Sequence, residues 1–65
     1  MTLLTQREAA LALRLSERTL ERLRVSGLSP VFVKCGRSIR YRQTDLEQWI
    51  ASRLVRSTSE VEVRQ

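Results

Sequence analysis

The chain contains no histidine and a single cysteine. Without histidine it lacks the side chain that most often moves protons or ligates metals near neutral pH. One cysteine permits neither an internal disulfide nor a cysteine metal cluster. At 65 residues there is little room for an enclosed active-site cavity, because a domain this small buries only ~60% of the surface its unfolded chain exposes. These absences point away from an enzyme and imply no cofactor and no metal. No apolar run approaches the ~20 residues of a membrane span, and no charged-then-apolar signal segment follows Met1. An unpaired thiol suits a reducing compartment, so the expected location is cytoplasmic. Two glycines and one proline leave no low-complexity linker, and there is no internal repeat. One domain is expected over residues 1–56, with 57–65, "STSEVEVRQ", as a flexible tail in which "VEV" can still pair as a strand.

What is present is positive charge. Twelve Lys/Arg stand against seven Asp/Glu, for a net +5, and eleven of the twelve cations are arginine. Arginine is the side chain best shaped for bidentate contact with phosphate and guanine. A small basic domain suggests nucleic acid, an anionic membrane surface or an acidic protein partner. The charge is also concentrated. Between Arg14 and Arg42 lie eight cations and two acids, a local balance of +6.

The hydrophobic 42% of the chain is patterned for short elements. Thr5 and Glu8 form a capping box that starts a helix over about 6–13, with Leu4 before the cap able to staple onto Ala9. Ala9, Ala10 and Leu13 make its narrow apolar stripe. Ser16 opens a second helix and Gly27 closes it. Spacing at 100° per residue sets Leu20 and Leu23 on its core side and Arg18, Glu21 and Arg22 opposite. Only Arg14 and Leu15 separate the two helices, which gives a helix-turn-helix outline. After Pro30 the period falls to 2, predicting a β-hairpin centred on Gly36. Its expected inner face is Val33, Cys35, Ile39 and Tyr41. Lys34, Arg40 and Arg42 make the outer face, Arg37 the tip, and Phe32 covers a helix. Thr44 and Glu47 suggest a second capping box, and Leu46, Trp49, Ile50 and Leu54 an apolar face that closes the core. Leu20, Leu23, Tyr41 and Trp49 are the expected core, with Cys35 as a small buried hydrophobe.

The predicted fold is mostly α with a small β-hairpin: helix, tight turn, helix, hairpin wing, third helix, which is a winged helix-turn-helix. Its exposed second helix has the width of a major groove, and the basic hairpin can lie on phosphates or reach the minor groove. On this reading Arg18 and Arg22 are the leading base or phosphate contacts. Glu17 and Glu21 repel phosphates but can accept from cytosine amines, and the competing view is a solvated face on which Arg18–Glu21 and Glu21–Arg24 pair locally.

From "LLT" through "EAA", "LSERTLER", the proline before the hairpin and "VKCGRSIRY" to the closing "DLEQW", the chain resembles the small MerR-type winged-helix proteins of the AlpA and phage-excisionase group. The resemblance spans residues 3 to about 54. It implies DNA binding through the second helix and wing, and a role as transcription regulator or recombination directionality factor (excisionase) of a mobile element. It assigns Ser16, Glu17, Arg18, Thr19 and Arg22 to the recognition helix and Lys34, Arg37 and Arg40 to the wing, to which the outer-face reading adds Arg42. The implied partner is double-stranded DNA, with cooperative self-association on adjacent sites and a recombinase as further partners. One departure stands out: many helix-turn-helix sequences have glycine where this chain has Arg14, although some members of the resembled group carry Arg. If the turn needs a positive φ, a non-glycine residue costs ~1 kcal/mol there, so Arg14 is either slightly strained or helical in a differently shaped turn. A different class of function, a protein-interaction adaptor using the exposed helix or wing, remains the alternative, although an adaptor seldom needs such a charge. Membrane-surface binding lacks the aromatic and leucine band that would insert.

Overall fold

A computed structural model describes residues 2–56; the tail 57–65 lies outside the described residues. The capping box forms as the sequence implies. The Thr5 amide donates to Glu8 Oε1 at 2.8 Å, and the Glu8 amide donates to Thr5 Oγ1 at 3.1 Å. Helix α1 therefore begins at once and runs Gln6–Leu13. Helix α2 follows over Glu17–Ser26, with Ser16 Oγ accepting from the Thr19 amide at 3.0 Å.

Both helices end in the same way. Arg14 (φ 57°, ψ 38°) and Gly27 (φ 81°, ψ 12°) adopt the left-handed conformation. The Leu15 amide reaches back to the Ala10 carbonyl at 2.9 Å and the Leu28 amide to the Leu23 carbonyl at 2.9 Å. This paired closure satisfies carbonyls that a helix end otherwise leaves open. Among the described residues Arg14 is the non-glycine with positive φ, so the turn does require the conformation that makes glycine the cheaper occupant.

Three strands make up the sheet, one more than the hairpin foreseen from the sequence. Strand β1 (Leu3–Thr5) pairs antiparallel with β3 (Ser38–Arg42), which also pairs antiparallel with β2 (Val33–Cys35), giving the order β1-β3-β2. The hairpin register also differs from the expected one. Centring it on Gly36 would oppose Cys35 to Arg37, whereas the observed partners are Cys35 with Ser38, Lys34 with Ile39 and Val33 with Arg40. The loop has two residues, Gly36 and Arg37, and Gly36 takes φ 62°, as the first central residue of a II′-type hairpin turn does. A shift of one residue moves a strand's side chains to the other face. Lys34 thus shares a face with Ile39 and Tyr41, while Val33 and Cys35 share theirs with Arg40. Cys35 is exposed, not buried.

Helix α3 spans Gln43–Ser52 and follows β3 without a loop. Its N-cap is Arg42, with no side-chain cap, so the expected Thr44–Glu47 box does not form. Asp45 instead turns back to Arg42, which donates through Nε at 2.5 Å and Nη2 at 2.8 Å.

The core is Ala9, Ala10, Leu20, Tyr41 and Leu46, with Leu4, Leu13 and Ile39 packed at its edge and Pro30 fully buried. The two alanines let α1 approach the other elements closely. Trp49 does not close this core. It is half-buried, and its Nε1 donates to the Leu28 carbonyl at 2.9 Å, pinning α3 to the loop after α2. Arg53 donates to the same carbonyl and lies over the Trp49 ring. Ile50 and Leu54 are exposed, since none of the other described elements packs on that side of α3. Leu23 is half-buried.

Candidate nucleic-acid interface

Helix α2 is attached to the core chiefly through Leu20, which is fully buried. Its opposite side carries a stripe of Arg18, Glu21, Arg22, Val25 and Ser26 around one shallow depression. These positions recur at three- and four-residue spacing, the signature of a single helical face. Arg18 and Arg22 are exposed, and neither is ion-paired or hydrogen-bonded within the fold. The local pairs with Glu21 are not formed. Glu17 is likewise exposed.

Ser16 and Thr19 are occupied differently. The Ser16 hydroxyl donates to Thr19 Oγ1 at 2.8 Å while accepting from the Thr19 amide, so this pair holds the N-terminus of α2 rigid. Val25, 80% exposed, joins the stripe as an apolar member that the sequence reading of α2 leaves out. Its spacing seven residues after Arg18 was the available signal.

Arg24 belongs to the scaffold. Its guanidinium donates to Gln6 Oε1 and lies 5.9 Å from the Phe32 ring centroid, and Phe32 meets Tyr41 at 6.2 Å and 54°. This chain of contacts ties α2 to α1 and to the segment leading into the hairpin, where Phe32, still 37% exposed, meets α2 through Arg24.

The hairpin cations fall into two groups. Lys34 and Arg37 are exposed and make no contact that ties them to the fold. Arg37 sits in the tight turn, and Lys34 extends past the core on the edge strand. Arg40 and Arg42 are half-buried. Arg40 Nη1 donates to the Ile39 carbonyl at 2.9 Å, and its charge acts on Glu8. The Glu8 carboxyl is held below its ordinary range, first by the Thr5 amide, then by the Thr5 hydroxyl and by Arg40. Arg42 is bound to Asp45, whose own titration is lowered by that hydrogen-bonded pairing, while Arg42 is raised by it. Lys34 and Arg37 are therefore the hairpin cations available to a partner without breaking an internal bond.

Among the described residues no group of three or more His, Cys, Asp or Glu could hold a metal ion. No helix there is long and apolar enough to cross a membrane. What the described surface offers is an exposed helix with two unpaired arginines and a hairpin with two unpaired cations, Lys34 on its edge strand and Arg37 in its turn. No match to the chain was found among curated proteins. A family model for the helix-turn-helix domain matches residues 3–54, covering all six elements, and the chain belongs to this helix-turn-helix family of AlpA and excisionase type.

Proposed function

We propose that the protein binds double-stranded DNA sequence-specifically, laying α2 in the major groove and the β2–β3 hairpin along the flanking backbone. The observation that carries this reading is the pair Arg18 and Arg22, one turn apart, exposed and free of internal partners on the face opposite Leu20. An arginine held this way can reach guanine O6 and N7 with both nitrogens. Lys34 and Arg37 supply phosphate contacts. Arg40 reinforces the field while bonded to the Ile39 carbonyl, and Arg42 reaches DNA as a weaker contact because Asp45 offsets its charge. Ser16 and Thr19 fix the helix end, and Glu17 tunes base preference at it. Helix-turn-helix membership supports DNA as the partner.

The biological output is transcription regulation or excision of a mobile element. A single small domain covers few base pairs, so neighbouring copies or a recombinase complete the assembly. Among the described residues Ile50 in the last turn of α3 and Leu54 and Val55 just after it are exposed, which favours such a neighbour.

Selection from random duplexes, followed by titration of the selected site, tests the reading. Arg18→Ala and Arg22→Ala should each cost ~1–3 kcal/mol at particular base pairs and leave thermal stability nearly unchanged. Equal losses on selected and random DNA would reduce both to phosphate anchors. Footprinting around the protein's own coding region then separates a promoter from an attachment site.

A further inference from the structure

We propose that Arg14, in the turn between α1 and α2, is a further phosphate contact, an inference that rests on the DNA-binding reading above. Three observations meet at this residue. It holds a left-handed backbone at φ 57°, a conformation that disfavours side chains with a Cβ. The equivalent closure of α2 is made by Gly27, so the same chain uses the unstrained solution one helix later. The Arg14 side chain is exposed and makes no hydrogen bond, ion pair or ring contact that would offset the strain inside the fold. Strain of this kind persists where function uses it.

Position supplies the function. Arg14 lies two residues before the Ser16 cap, at the end of α2 that would enter the groove first. Residues just outside such a helix end meet the phosphates that border the groove. Glu17, exposed in the first turn of α2, would otherwise present a carboxylate to those phosphates, and Arg14 offsets it. The amide of Arg14 is bonded to the Leu11 carbonyl at 3.1 Å and that of Leu15 to Ala10, so the guanidinium extends from a fixed turn.

The test is the salt dependence of binding to a short random-sequence duplex, measured for the wild type, R14A, R14G and R14K, with the Tm of each. R14K should keep the wild-type slope of log K against log salt. R14A and R14G should both be shallower by about 0.9, the contribution of one phosphate. R14G should at the same time melt a few degrees higher, since strain is relieved, so that affinity falls while stability rises. A residue with only a structural role would not separate the two. Wild-type slopes in R14A and R14G, with wild-type binding intact, would overturn this inference alone. Absence of duplex binding by the wild type would overturn the DNA reading and this inference with it.

Discussion

Tyr41 occupies the middle strand with its ring fully buried, opposite Leu4 and against Phe32. Its hydroxyl is also buried, and finds no hydrogen-bond partner among the described residues. The two ends of one side chain therefore act in opposite directions: the ring stabilises, whereas an unpaired buried hydroxyl costs about 1–3 kcal/mol. Tyr41→Ala should lose ~3–5 kcal/mol, most of what a domain of this size holds in total. Tyr41→Phe should keep or raise the Tm. Thermal melts of the two variants check this, and a Tyr41→Phe protein that melts well below wild type would show that the hydroxyl is satisfied in solution. Arg42 shows the same need to look past residue type. By composition it is a wing cation; by position it is the partner of the nearly buried Asp45.

At the scale of elements, the hairpin is the place where charge and architecture separate. Replacing Lys34 and Arg37 together with Ala should make the salt slope of DNA binding shallower by about 2. Base preference should survive, because phosphate contacts position the protein without reading sequence. The fold should survive as well, since neither side chain packs in the core. Titration at several salt concentrations on selected and scrambled duplexes decides the matter, and an unchanged slope would remove the hairpin from the interface. Helices α1 and α2 and their caps were legible in the sequence because local signals define them: Thr5 with Glu8, Ser16, Gly27. Strand β1 was not, since three residues carry no period and their order comes from β3, far along the chain. The hairpin register is hidden in the sequence for a related reason. Alternation is preserved under a one-residue slip, and only the two-residue loop with Gly36 at positive φ chooses between the alternatives. Helix α3 is legible as an element, but its start is set by Arg42 and Asp45 and not by Thr44. On the candidate interface, Arg18 and Arg22 followed from spacing, whereas the engagement of Arg40 and Arg42 depends on tertiary partners that spacing does not reveal.

For the molecule as a whole, a core of five fully buried apolar side chains leaves a narrow margin of stability, and acid should reach it early. Glu8 and Asp45 both titrate below their ordinary range in the folded state. A carboxyl whose folded pKa is depressed contributes stability that is present above its unfolded value, near ~4, and is lost as pH falls through the folded value. Stability should thus hold from neutral pH to about 5 and drop below ~4, where protonation of the acids also leaves the cations unopposed. Melts across that range test this, and Asp45→Asn should flatten the acid limb while lowering the Tm at neutral pH. The pairing of β1 with β3 has a consequence for time. Leu3 meets Arg42 and Thr5 meets Arg40, so the first strand waits for a partner that is made only after both α1 and α2. Closing so long a loop slows folding relative to a helical bundle of the same length. Until β3 and α3 exist, α1 and α2 lack Tyr41 and Leu46 to pack on, and helices of eight and ten residues are marginal alone, so it is in that interval that proteases and chaperones would meet the chain.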